Sequence, residues 1–299
     1  MSGFLDRLFT SAAPLIIASS GALLTDLAGA LAIFTEGFMS AGAFFSWIIT
    51  GWTGSVFLGT AISACAAALA GWGLAHFVRK TRANPFIAGL AVNIAAGGIT
   101  DALSILWFGT KGVLRNPGFV LPHHITIPVV ENIPLLGPLV SGHLSLVYIS
   151  WFTVIVIALF IGRTPWGLRL RASGLSPAAA KERGIRPGRY WECAWAASAF
   201  LAVIAGASLT FRVGAYTPGG VAGRGWISLA AVYLGFRHAG GIFAAALVFA
   251  LAELAEQNLQ GLTGVSSTAM LGLPHAMALI LYVFSRWVNE KRKAQFPLR

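Results

Sequence analysis

The feature that most restricts this chain is a series of apolar runs of membrane-crossing length, separated by short basic segments. About seven runs reach, or nearly reach, the length needed to cross roughly 30 Å of hydrocarbon at 1.5 Å per residue, and two shorter ones lie among them. Weighing the runs against Gly, Pro and charged breakers places segments near residues 12–24, 28–49, 54–78, 85–108, 143–161, 190–211, 226–236, 240–259 and 268–288. The expected fold is all-α: a polytopic membrane helical bundle of about nine segments, one of them short and broken or re-entrant.

Composition supports this. With 57% hydrophobic and 10% charged residues, the chain cannot present a hydrated surface, because a soluble domain spends about a quarter of its residues on charge. Residues 1–299 therefore read as a single transmembrane domain with no room for a folded soluble one. Gly21, Thr25 and Asp26 give the first run the character of a packed helix rather than a cleaved leader. Cys65 and Cys193 lie in or beside apolar runs without metal-ligand spacing, so they read as packing residues.

The net charge of +11 does not point to nucleic acid, because Lys and Arg cluster in the gaps between apolar runs. Arg79, Lys80 and Arg82 occupy one gap, seven Lys or Arg fall between Arg163 and Arg189, and Arg286, Lys291, Arg292, Lys293 and Arg299 end the chain. Positive-inside bias puts all three in the cytoplasm. The proline-rich segment 109–142 then forms a cap on the outer face, and the N-terminus lies outside.

Ionisable residues inside the runs are few: Asp26, Glu36, Asp101, Glu253 and Glu256, with Arg212 and Arg224 at an outer end. A charged group at a helix centre costs roughly 2.5 to 3.5 kcal/mol on insertion scales, so each must face other helices or water. Glu36 is either a carboxylate capping a broken helix or a direct solute contact. Asn93, among Gly89, Gly97 and Gly98, is either an interhelical hydrogen-bonding group or a cavity-lining one. Site chemistry is otherwise absent. There is no HExxH, CxxC or phosphate-cradling glycine loop, and "GGVAGRG" follows a proline turn with no strand before it, so no catalytic residue, metal or bound cofactor is expected.

The basic loop 163–189 carries its own start and stop signals. Ser176 can cap a helix that opens on Pro177, residues 178–180 are alanines, and Gly184 is a left-handed stop. The result is a two-turn helix on the cytoplasmic face, flanked by Leu175 and Ile185. A mere connection needs no such punctuation.

The segment "GLRLRASGLSPAAAKERGI" (167–185) resembles the coupling-helix loop of ABC-importer permeases of the branched-chain amino acid, ribose and nucleoside group. "NPFIAGLAVN" (84–93), "AGRGWISLAAVYLG" (222–235) and "LLTDLAGALAIFTEGFMSAGAF" (23–44) are similar, in family order, to motifs of its nucleoside and simple-sugar branch. Leu27, Ala32 and Phe34 depart from the family pattern beside the broken helix, which allows the solute to differ from a typical nucleoside.

The resemblance implies a permease subunit of the bacterial inner membrane that moves a nucleoside or related small sugar-like solute by alternating access. It implies docking to a cytoplasmic ABC ATPase, where ATP and Mg act, through Ser173, Gly174, Ser176, Pro177, Ala178, Ala179, Ala180, Glu182 and Gly184. The implied path residues are Glu36, Asn93, Phe211 and the turn Ala222, Gly223, Arg224, Gly225 and Trp226. A second, longer permease, an extracytoplasmic solute-binding protein and membrane lipid are the other expected partners. The competing class is an ion-coupled secondary transporter using Glu36 or Asp101, which has no need of the docking loop.

Overall fold

The computed structural model describes residues 2–115, 124–126 and 139–260; the expected segment 268–288, the basic residues after it and much of the cap lie outside the described residues. The elements run α1 (Ser2–Leu27), α2 (Thr35–Thr53), α3 (Val56–Thr81), α4 (Pro85–Phe108), β1 (Leu114–Arg115), β2 (His124–Ile125), β3 (His143–Leu144), α5 (Ser145–Arg163), α6 (Pro165–Leu175), α7 (Pro177–Glu182), α8 (Pro187–Val213), β4 (Ala215–Tyr216), α9 (Arg224–Leu234) and α10 (Ala239–Gln260).

Local chemistry sets the helix ends. The Ser55 hydroxyl accepts from the Leu58 N–H to open α3, which closes on Arg79, Lys80 and a left-handed Arg82. Asn84 then caps α4, its Oδ1 accepting from the Phe86 N–H at 2.8 Å, with Pro85 as first residue and Gly109 in the left-handed conformation at the end. The short link between them makes α3 and α4 antiparallel neighbours in sequence.

Among the described residues six helices, α1, α3, α4, α5, α8 and α10, are long and apolar enough to cross a membrane. The first helix of the chain is the central one: its most apolar stretch is 100% buried, against 11% for α4. A helix that is apolar all round belongs inside, and α1 packs on α5, α8, α9 and α10. Small residues set the other close crossings. A Cβ on Gly206 of α8 would lie 1.9 Å from the Met39 carbonyl oxygen of α2, and one on Gly42 would lie 2.5 Å from that of Val203. The Thr210 hydroxyl donates to the Ala43 carbonyl at 3.1 Å across the same interface.

The structure departs from the sequence-based expectations at four places. The first helix begins at Ser2, well before residue 12, because Asp6 is satisfied by the cap: its carboxylate meets His143 Nδ1 at 3.2 Å and His124 Nε2 at 3.6 Å. The expected continuous run 28–49 is interrupted, since residues 28–34 form turns and α2 starts only at Thr35. The run 226–236, expected to be short, is a helix of 11 residues, Arg224–Leu234, and its rise of about 16 Å covers about half the hydrocarbon thickness. The loop 163–189 holds an additional helix, α6, before α7. The outer segment is tied down by two-residue strand pairs, Leu114 opposite Tyr216 and His124 opposite Leu144.

Orientation gives a direct check. In a background lacking Cys65 and Cys193, Ala178→Cys is expected to react with a membrane-impermeant maleimide only from the cytoplasmic side, and Thr110→Cys only from the outer side. The reverse labelling would invalidate the assignment of faces.

Candidate functional site

A helix N-terminus leaves N–H groups without partners inside its own helix, and lipid supplies none. Two helices begin inside the bundle with no cap from their own N-cap side chain: α2 after Phe34 and α9 after Gly223. Both are capped from a neighbouring helix.

Asn93 of α4 caps α2. Its Oδ1 accepts from the Gly37 N–H at 2.7 Å, and its Nδ2 donates to the Ile33 carbonyl at 2.8 Å, so one amide serves both sides of the interruption. The turn itself is pinned by Thr25, whose hydroxyl accepts from the Ala32 N–H at 3.0 Å and donates to the Ala22 carbonyl at 2.9 Å.

Glu36, in the first turn of α2, caps α9. The Gly223 N–H donates to Oε1 at 2.9 Å and the Gly225 N–H to Oε2 at 2.7 Å. The carboxylate lies where two positive helix ends meet, the most favourable place for an anion in a low-dielectric interior. Two charge-assisted hydrogen bonds, at about 1.5 to 3 kcal/mol each, are enough to offset an insertion cost of roughly 2.5 to 3.5 kcal/mol. Gly225 permits the approach, because a Cβ there would stand 2.5 Å from the Glu36 Cα.

The remaining path candidates divide. Arg224 would be unfavourable as a cation in the first turn of α9, but it pairs with Glu253 of α10 and donates to the Gly220 carbonyl at 3.0 Å. Ala222 is exposed in the left-handed region at φ +48°, and Trp226 is exposed on the same turn. Phe211 lies elsewhere: it is buried on α8 and lines a separate apolar cavity of about 850 Å³ between α3, α5 and α8. Arg212, next to it, donates to the Ser11 hydroxyl at 3.1 Å, and Asp101 of α4 pairs with Lys111 at 3.1 Å.

In the loop 163–189, Ser176 caps α7, its hydroxyl accepting from the Ala179 N–H at 3.4 Å, and Pro177 is the first helical residue. The Ile185 N–H returns to the Ala180 carbonyl at 3.0 Å past Gly184 at φ +76°, a six-to-one closure that ends the helix. Ser176, Pro177, Ala178, Ala179, Glu182 and Gly184 are exposed, and the preceding Leu175 is 84% exposed. Ser173, Gly174 and Ala180 face inward instead. Ser173 and Ala180 are buried, and a Cβ on Gly174 would lie 2.1 Å from the Leu27 carbonyl oxygen at the end of α1. The end of α6, immediately before α7, is thus in backbone contact with the start of the α1–α2 interruption.

Two further charged groups belong to this inner half. Asp26 of α1 pairs with Arg237 of the α9–α10 turn and accepts from the Tyr233 hydroxyl at 3.4 Å, beside a cavity of about 890 Å³ that Gly174 and Leu175 also line. Glu192 of α8, buried, joins Arg79 at 2.7 Å and His76 at 3.0 Å. Sequence reasoning passed over Glu192; a lone carboxylate in "YWECAWAAS" carries the same signal as the other intramembrane acids.

Several helices long and apolar enough to cross a membrane, two of them flanking interruptions capped from neighbouring helices, describe a multi-pass membrane protein. The family described as the permease component of branched-chain amino acid transport systems matches residues 4–284, and the chain belongs to it. A guanosine ABC transporter permease protein of Bacillus subtilis is 30% identical over 81% of this chain and 78% of its own length. A nucleoside ABC transporter permease protein of Lactococcus lactis is 26% identical over 90% and 87%. A third relative, from Haloferax volcanii, carries a provisional glucose ABC transporter permease name and is 28% identical over 88% and 79%. Among solved structures, a chain of PsaBC from Streptococcus pneumoniae in complex with Fab shares the fold, with a TM-score of 0.53 over 94% of this chain and 89% of that one at 12% identity.

The trans-capping arrangement makes opposite demands on two neighbouring small residues. Gly225→Ala is expected to force α9 off Glu36, lowering the thermal midpoint in detergent by the equivalent of about 1 to 3 kcal/mol, the usual cost of overpacking. Ala222→Gly is expected to leave it unchanged or raise it, because glycine suits the left-handed position. An unaltered midpoint for Gly225→Ala would contradict the geometry.

Proposed function

We propose that this chain is the membrane-spanning subunit of an ATP-driven importer that carries a nucleoside or related small sugar-like solute across the bacterial cytoplasmic membrane by alternating access. The observation that carries the proposal is the α7 turn: an exposed, alanine-faced, fully capped helix with Leu175 beside it on a cytoplasmic loop, in contact through Gly174 with residues 27–29. Small residues let a groove on another protein approach the backbone closely, and Leu175 offers apolar area to bury there.

In this account ATP and Mg act in a separate ATPase bound at α7. Closure of the ATPase moves α7; Gly174, seated on the Leu27 carbonyl, carries the movement into the 28–34 turn and so to the start of α2. Glu36 and α9 follow, because the Glu36 carboxylate is the cap of α9. That is a coupling between a distant site and two global states of the path. The chain itself performs no bond chemistry. Glu36, Asn93 and the residue 222–226 turn border the path, and a second permease and an extracytoplasmic binding protein complete the importer. The nucleoside names of the Bacillus and Lactococcus relatives favour that solute class.

The α7 geometry separates a clean test from a damaging one. Gly174 cannot accept a side chain without displacing α1, whereas Ala179 faces outward. Ala179→Arg is therefore expected to leave the amount of chain in the membrane unchanged while radiolabelled guanosine or adenosine uptake by cells falls at least tenfold. Undiminished uptake by that variant would defeat the docking assignment. Uptake that survives ATP depletion but collapses with an ion gradient would favour a secondary transporter.

A further inference from the structure

Behind α7, at the cytoplasmic edge of the bundle, is a cleft of about 720 Å³ between α6, the end of the docking loop and the start of α8. Arg169, Arg183, Arg186 and Arg189 line it, all four exposed, and none forms an ion pair with a carboxylate among the described residues. Two neighbouring arginines are neutralised, Arg79 by Glu192 and Arg237 by Asp26, whereas Arg82, Arg163 and Arg171 have no carboxylate partner among the described residues. Four unpaired guanidinium groups around one concavity constitute an anion site awaiting its charge.

The rest of the lining identifies the anion. Trp166 and Tyr190 stand with ring centroids 5.0 Å apart, Trp166 being 50% exposed, and Leu168 is 61% exposed beside them. Trp166 lies in the first turn of α6, directly after the apolar helix α5 ends at Arg163, and Tyr190 lies in the first turn of the apolar helix α8. Indole and phenol rings at that level belong to the headgroup zone. Guanidinium groups together with interfacial aromatics and an exposed aliphatic side chain match a phosphate that carries acyl chains. A soluble anion has no use for Trp166 and Leu168, and an acidic protein surface has no use for rings at membrane depth.

We infer that this cleft is a binding site for the headgroup of an anionic phospholipid of the cytoplasmic leaflet, with the guanidinium groups of Arg169, Arg183, Arg186 and Arg189 on the phosphate and Trp166 and Leu168 along the glycerol and upper acyl chain. The bound lipid braces the C-terminal end of α7, since Arg183, Gly184 and Ile185 form one wall. The assignment does not depend on which solute the permease carries.

The test is native mass spectrometry of the purified full-length chain, in detergent, titrated with phosphatidylglycerol, phosphatidylcholine or inorganic phosphate. The account expects one phosphatidylglycerol retained in preference to phosphatidylcholine. It expects affinity to fall about fivefold for Arg169→Gln and about 25-fold for Arg169→Gln combined with Arg186→Gln, from roughly 1 kcal/mol per basic residue at the membrane surface. Arg169→Lys, which keeps the charge, should retain most of the binding and serves as the control for folding. Lys80→Gln, in a different cytoplasmic basic gap, should have no effect. Equal retention of the two lipids, an equal loss with Lys80→Gln, or full displacement of phosphatidylglycerol by millimolar inorganic phosphate would overturn it. So would an effect of the Arg variants seen only when an ATPase subunit is present.

Discussion

A helix that begins inside a bilayer must find acceptors for its first N–H groups in the protein, because the surrounding hydrocarbon offers none. In this chain that requirement is met across helices. Asn93 on α4 serves the start of α2, and Glu36 on α2 serves the start of α9. Three helices are thereby linked in series by polar side chains at the two places where the helical rods are interrupted. Removing Asn93 leaves the Gly37 N–H and the Ile33 carbonyl without that partner, and removing Glu36 leaves the Gly223 and Gly225 N–H groups without theirs, so the architecture around the interruptions depends on these two residues.

The second dependence is mechanical. Gly174 places the docking loop against residues 27–29, and Asp26, one turn of chain away, is held by Arg237 of the α9–α10 turn. The inner ends of α1, α6 and α9 thus meet around one cavity, and the α2 and α9 interruptions share a single carboxylate. Tight backbone crossings between α2 and α8, enforced by Gly42 and Gly206, make those helices more apt to move as a unit than to deform.

Much of this was legible in the sequence because the signals are local. Ser176, Pro177 and Gly184 specify α7 through capping chemistry that acts within a few residues, and Asn84, Pro85 and Gly109 bound α4 in the same way. Glu36 and Asn93 stood out as expensive polar groups in apolar runs. Gly223 and Gly225 were expected in the same region, but that their N–H groups bond to Glu36, and that Gly37 and Ile33 bond to Asn93, was not, because backbone acceptors and donors leave no trace in residue type. A broken helix was expected here, but the bounds of the interruption at 28–34 were not legible, because "AGALAIF" is apolar throughout, and hydropathy does not distinguish a helix from a turn whose hydrogen bonds are supplied by Thr25 and Asn93. The central position of α1 was equally invisible, because a lipid-facing run and a protein-facing run have similar composition. Phe211, expected near the path, is buried on α8 and lines an apolar cavity with residues of α3 and α5.

The central claim is that α7 transmits force from an ATPase to the interrupted helices. Its most direct test is to extract the tagged chain from its native host in mild detergent and identify what remains bound by mass spectrometry, alongside the ATP dependence of uptake. The account predicts a stoichiometric ABC ATPase together with a second permease, and uptake abolished by ATP depletion. Recovery of this chain alone, with uptake driven by an ion gradient, would contradict it.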